Sequence, residues 1–143
     1  MNGKTITYEQ ANTRVDQLIQ YAVAVISPKP RLEAIVFQSG VQQCLDPTDG
    51  GSNKRIYVTK NYWLRGVPTD QNVAVATQVK DYWGRQHFLI ETATGFDKGQ
   101  PDISARSYPD DFLLSLSWSA DGSLSMGASS PCIWTNGTPP PGS

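Results

Sequence analysis

Histidine and cysteine are scarce in this sequence, which has one histidine and two cysteines among 143 residues. Together they are fewer ligands than a tetrahedral zinc site takes, and no CxxC pair is present. We therefore expect no metal and no other cofactor. Thiol catalysis is also disfavoured, because no second cysteine stands close in sequence to the first to resolve an oxidised intermediate.

Strong charge of either sign is also lacking, since the formal net charge is −1 at pH 7. A chain with this balance lacks the basic surface that binds nucleic acid or an anionic membrane, so we expect no nucleic-acid partner. No stretch approaches the roughly 20 apolar residues of a membrane-spanning helix. The start, Met1-Asn2-Gly3-Lys4, is not followed by the apolar core of a signal peptide.

Sequence motifs of enzyme active sites are missing as well. The chain has no G-x-S-x-G elbow, no H-E-x-x-H pair and no glycine-rich phosphate loop. Asp110 and Asp111 are adjacent, so their carboxylates would not converge on one bond. We therefore expect no enzyme activity. The alternative is a small hydrolase in which His87, the single histidine, acts as the base.

The two cysteines, Cys44 and Cys132, each follow an apolar run, so each is expected at the end of a strand. An even number of cysteines in a small chain fits one disulfide in an oxidising compartment. Such a bond places the protein outside the cytoplasm and implies an export signal that was removed before Met1. The alternative is two unrelated buried thiols in a cytosolic protein.

Periodicity of the apolar residues predicts two helices and six strands. Thr7 and Gln10 form a capping-box pattern before the first helix, and Asp70 is a candidate N-cap for the second. Strand one carries Val36 and Phe37, and strand three begins at His87. In chain order, the predicted elements are a helix at about 8–26, strands at 32–38 and 54–64, a helix at 71–83, and strands at 87–92, 103–108, 112–119 and 124–128.

This order, α-β-β-α-β-β-β-β, predicts an α+β two-layer sandwich. Two helices with one apolar face each would pack on one side of a curved, mainly antiparallel sheet. We expect a single domain over residues 1–134 and a flexible, proline-rich tail over 135–143. The polar stretch 46–53, which includes Asp49 and Asn53, predicts a solvated turn.

Large aromatic residues are the most informative class for function. Trp83 and Trp118 fall on apolar faces and are predicted core residues. Tyr62, Trp63 and Arg65 stand where the second strand is expected to end in a loop, and aromatics beside an arginine can form a binding surface. With His87, these three residues are our candidate binding site for a protein or a small-molecule ligand.

The closing stretch Ser130-Pro131-Cys132-Ile133-Trp134-Thr135-Asn136-Gly137, followed by prolines, resembles the end of small actinobacterial envelope lipoproteins. The layout, with an N-terminal helix and a cysteine after the first and last strands, is similar to the mycobacterial LppA-type group. This resemblance implies a lipid anchor upstream of the present sequence as the only membrane contact, and it implies no reaction. Our leading hypothesis is an exported, non-enzymatic binding domain at the cell envelope; an inhibitor or immunity-type protein is a further alternative.

Overall fold

The computed structural model describes residues 4–44 and 55–138. These residues form two α-helices and seven strands. The helices are α1 (Tyr8–Ala24) and α2 (Asn72–Arg85). The strands are β1 (Arg31–Ala34), β2 (Gly40–Gln43), β3 (Ile56–Arg65), β4 (Leu89–Thr94), β5 (Asp102–Arg106), β6 (Leu113–Trp118) and β7 (Leu124–Ser129).

Helix α1 begins at the predicted capping box. The Thr7 hydroxyl accepts from the Gln10 N–H at 3.2 Å, and the Gln10 side chain accepts from the Thr7 N–H at 2.9 Å. Its buried face consists of residues at helical spacing: Ala11, Val15, Leu18, Ile19, Ala22 and Val23. The helix forms because this face has a sheet to cover, and its N-terminal amides are capped.

The strands form one antiparallel sheet in the order β1-β3-β7-β6-β5-β4. Strand β2 also pairs with β3, opposite Ile56 to Thr59, whereas β1 pairs with the other end of β3, opposite Tyr62 to Arg65. Strands β1 and β2 are therefore two halves of one sheet edge, separated by a 3-10 turn at Val36–Gln38. Strand β4 forms the opposite edge.

Both helices cover the same face of this sheet. Val58, Leu64, Leu114 and Leu116 share one buried cluster with apolar residues of α1 and α2. An ion pair between Lys60 Nζ and Asp16 Oδ1, at 2.8 Å, also joins β3 to α1. The α+β sandwich predicted from the sequence is confirmed, but the sheet has seven strands where six were predicted, because β2 was not expected.

The predicted first strand is wrong in its second half. Strand β1 ends at Ala34, and the next residue, Ile35, is buried. Val36 and Phe37 are 78% and 84% exposed because they lie on the 3-10 turn and not in a strand. β-branched and aromatic residues favour strands on average, but here the turn interrupts the edge and takes them out of the pairing.

The surroundings of α2 also differ from the prediction. Asp70 lies in a 3-10 turn, Thr69–Gln71, and the N-cap position is Gln71, whose side chain makes no capping hydrogen bond. His87 is not in a strand: its φ of 64° reverses the chain after α2, and β4 starts only at Leu89.

The C-terminal segment packs against the start of the chain. Tyr8 N–H donates to the Thr135 carbonyl and Thr5 N–H to the Gly137 carbonyl, both at 2.9 Å. Gly137 is buried between these contacts. Residues 135–138 therefore pair with the folded domain, although the sequence placed them in a tail; residues 139–143 and the polar stretch 46–53 lie outside the described residues.

The predicted bond between Cys44 and Cys132 is confirmed. It joins the end of β2 to the segment after β7, with the two Cα atoms 6.2 Å apart. The backbone runs alongside this bond, because Ile56 and Ile133 exchange two hydrogen bonds of 2.9 and 2.8 Å. The disulfide thus fastens one sheet edge to the end of the last strand.

Candidate functional site

Among residues 4–44 and 55–138, no element covers the sheet face opposite the helices, which carries mainly short polar side chains. The strand registers place them in rows across the sheet. The middle row is Asn61, Gly127, Ser115, Ser104 and Thr92. Ser117, Ser125 and Ser129 lie on the same face, so most of it is flat. We call this surface the open face.

Trp63, Arg65 and Glu33 form a compact cluster at one end of the open face. The Arg65 guanidinium lies 5.1 Å from the centre of the Trp63 ring, within cation–π range. Its Nε and Nη2 atoms each lie 3.2 Å from a different Glu33 carboxylate oxygen, which is a bidentate pairing. Its Nη1 donates to the Ser123 hydroxyl at 3.4 Å. The cluster therefore presents a half-buried indole beside a fixed ion pair.

The ion pair shapes the electrostatics of this cluster. The hydrogen bonds from Arg65, followed by its positive charge, hold the pKa of Glu33 below its usual range. Glu33 therefore stays ionised at neutral pH, and the arginine charge is largely compensated. A partner meets the Trp63 indole and the Arg65–Glu33 ion pair there, with the exposed Arg31 opposite Arg65 on β1.

The four residues predicted to bind do not converge. Trp63 and Arg65 lie within β3 on the open face, not in a following loop, whereas Tyr62 points to the opposite face and packs against the core. His87 lies beside β4, at the opposite sheet edge, four strand spacings or about 19 Å from β3. The structure brings together Trp63 and Arg65 and adds Glu33, which the sequence did not indicate.

His87 is exposed, and no hydrogen bond to its ring is found among residues 4–44 and 55–138. Its backbone N–H donates to the Gly84 carbonyl at 3.0 Å, which belongs to the turn that ends α2. His87 therefore lies at the chain reversal that follows α2.

At the other end of the open face, apolar side chains surround Arg106. Leu89 and Leu113 are the cross-strand neighbours of Arg106 and are 60% and 40% exposed. Arg106 pairs with Glu91 at 3.2 Å and with Asp111 at 3.6 Å. Both ends of the open face thus combine large side chains with a paired arginine, on either side of the flat serine-rich centre.

A separate depression of about 590 Å³ lies at the end of the sandwich, on the helix side of Trp118. Three connections line it: β3 to α2, β4 to β5 and β6 to β7. Trp118 is half-buried and packs against the core. The polar side chains around it are Thr69, Asp70, Lys98, Gln100 and Asp121.

Hydrogen bonds fix the walls of this depression. The buried Asn72 side chain donates to the Gly122 carbonyl at 2.8 Å and thereby ties the β6–β7 turn to the start of α2. Asp121 accepts from the Ser123 N–H at 3.0 Å. That bond, with the Ser123 hydroxyl and the Arg65 charge, holds the pKa of Asp121 below its usual range. Asp121 is therefore a carboxylate acceptor at neutral pH.

Trp118 was predicted as a core residue, and no pattern in the sequence indicated the depression beside it. Its alternation with Leu114 and Leu116 correctly places it on the helix side of β6. The depression arises because three distant connections converge there, and strand periodicity does not reveal that convergence. Trp83, the other predicted core residue, is 1% exposed, as is Trp134.

Within the described part of the chain, no group of His, Cys, Asp or Glu side chains could hold a metal ion, and neither helix is long and apolar enough to cross a membrane. Comparisons with protein-family profiles, curated proteins and solved structures found no match for this chain.

Proposed function

We propose that this chain is an exported, non-enzymatic domain of the cell envelope that binds a protein partner through the open face of its sheet. The observation that carries this proposal is that one whole face of the sheet, with Trp63 and Arg65 at one end, has no covering layer among the described residues.

Export is supported by the disulfide between Cys44 and Cys132. Disulfides persist in oxidising compartments and are rare in the cytosol, where thiols are kept reduced. The resemblance of the chain layout to LppA-type lipoproteins supports the same address, with a lipid anchor upstream of this sequence as the attachment to the membrane.

A protein partner is favoured over a small molecule at the open face because of its shape. Ser104, Ser115, Ser117 and Ser125 keep most of the face level, and a level face matches another protein surface better than a compact ligand. Trp63 is the anchor we expect to contribute most, because tryptophan and arginine are enriched among the residues that dominate interface energies. An inhibitor or immunity-type protein is one form that this function can take.

The non-enzymatic part of the proposal is supported by the separation of the polar groups. A base and a nucleophile must lie within about 3 Å of each other, and no side chain among the described residues hydrogen-bonds to the exposed His87 ring. The hydrolase alternative requires such a partner, so the structure favours the binding function.

The experiment is a pull-down from an envelope extract of the source cells with immobilised protein. We expect the wild type to enrich a specific partner and the Trp63→Ala/Arg65→Ala variant to lose most of it. The matched control is Tyr21→Ala/Arg85→Ala, which removes an exposed aromatic and an arginine from the helices. Circular dichroism checks that both variants are folded.

Equal capture by wild type and the Trp63→Ala/Arg65→Ala variant removes the site assignment. Loss of capture by the Tyr21→Ala/Arg85→Ala variant alone would place the interface on the helix side of the molecule. Failure of the wild type to enrich any envelope protein contradicts the function.

A further inference from the structure

We propose that the depression beside Trp118 is a binding site for a neutral saccharide, with a sugar ring stacked on the indole. This site lies on the helix side of the sheet and is independent of the open face. Its volume of about 590 Å³ falls within the range of about 300–1,000 Å³ that is usual for small-ligand sites.

Trp118 supplies the platform. It is the last residue of β6, and its half-buried side chain both packs against the core and lines the depression. A half-buried aromatic ring of this kind is held in one orientation and still offers apolar area to a ligand. The C–H face of a pyranose ring is an apolar, nearly flat surface of matching size.

The polar side chains around the depression, which we call the rim, favour a neutral ligand. Asp70 and Asp121 are acceptors, Lys98 is a donor, and the Gln100 amide is both. An anionic ligand would meet two carboxylates, and a cationic ligand would meet the ammonium group. Sugar hydroxyls donate and accept at the same time, so each can pair with any of these groups.

The rim groups are also available. Lys98 and Asp70 have no ion-pair partner within 4.0 Å among residues 4–44 and 55–138. The walls, in contrast, are fixed: Asn72 ties the β6–β7 turn to α2, and the Gln100 N–H donates to the Gly95 carbonyl at 2.8 Å. The fixed walls lose little freedom when a ligand binds, and the unpaired Lys98 and Asp70 can turn toward its hydroxyls at the cost of some side-chain freedom.

The test uses the purified chain and four probes: the methyl pyranosides of glucose, mannose and galactose, and N-acetylglucosamine. Each is titrated to about 50 mM, which half-saturates a site with a dissociation constant of that size. We expect saturable changes in the ¹H–¹⁵N spectrum at the Trp118 indole and at the amides of Gly99 and Gly122 for at least one probe. Methyl glucuronide and choline serve as anionic and cationic comparisons and should bind more weakly.

Three variants decide between this site and others. Lys98→Ala, at an exposed rim position, should weaken binding by about five-fold, as for one lost hydrogen bond. Trp118→Leu should abolish binding while Trp63→Leu leaves it unchanged; unchanged spectra away from the substitution show that each variant is folded. Saturable shifts at Trp63 in place of Trp118, tighter binding of either charged probe, or no saturable shift with any neutral sugar would overturn the proposal. Absence of sugar binding at Trp118 leaves the proposed partner capture by the open face unchanged, because Trp118 lies on the other side of the sheet.

Discussion

Reduction of the disulfide between Cys44 and Cys132 should lower the free energy of unfolding by about 4.6 kcal/mol. The bond closes a loop of 88 residues, and the chain-entropy relation assigns that cost to the extra freedom of the unfolded reduced chain. For a chain of 143 residues this corresponds to a fall in melting temperature of about 15 °C.

Much of the local structure should survive reduction at room temperature. The Cys44 N–H still donates to the Arg55 carbonyl at 2.9 Å, and Ile56 still pairs with Ile133. The assay is urea denaturation of the same protein with and without a phosphine reductant, followed by tryptophan fluorescence. The Cys44→Ala/Cys132→Ala variant is the control, because reductant should not change its stability.

A difference below about 1 kcal/mol between the oxidised and reduced proteins would refute this reasoning. It would mean that the unfolded reduced chain keeps the two segments close together, so that the cross-link removes little freedom. A difference that the double-alanine variant also shows would point to an effect of the reductant itself.

Four further substitutions test the account of the fold. Asn72→Ala should cost about 1 kcal/mol in a denaturant titration, because it removes the hydrogen bond to the half-buried Gly122 but also removes the buried Asn72 Oδ1, which has no partner among the described residues. Gly95→Ala should destabilise more than Gly99→Ala, since both have left-handed backbones but only the first methyl group would overlap a backbone carbonyl; equal effects would contradict this. Burial acts to raise the pKa of Asp110, but hydrogen bonds, from Arg14 first, and the arginine charge lower it overall. The resulting stability is complete above about pH 5 and is lost as the pH falls through the lowered pKa, so Asp110→Asn should flatten the stability profile below about pH 4.

Local patterns in the sequence were sufficient to predict the two layers of the fold, the helices and the sheet that they cover. The Thr7 and Gln10 capping box, the helical spacing of apolar residues after it and the alternation in β6 and β7 each specify an element. These signals depend on neighbours a few residues apart, so they can be read without a structure.

The features that the sequence did not indicate depend on pairing between distant segments. Val36 and Phe37 have strand-forming side chains, yet the edge is interrupted at that point by a turn. His87 fits an alternating pattern, but the reversal after α2 places it in a left-handed conformation. Tertiary context overrides local preference at both positions.

The candidate site likewise combines residues that the sequence indicated with residues that only the folded chain brings together. Trp63 and Arg65 were predicted from their place at an expected strand end, whereas Glu33 joins them only because β1 pairs with the end of β3. The depression beside Trp118 requires three connections to meet. Cross-strand register and the convergence of loops are properties of the folded chain, and no stretch of sequence by itself contains them.

Hydroxyl-radical footprinting of the chain, alone and with its captured envelope partner, tests the central claim most directly. We predict that oxidation of Tyr57, Trp63 and Leu113, all on the open face, falls when the partner binds, whereas oxidation of Tyr21 and Phe37 does not change. Protection of Tyr21 with unchanged oxidation of Trp63 and Leu113 would place the partner on the helix side and contradict the account.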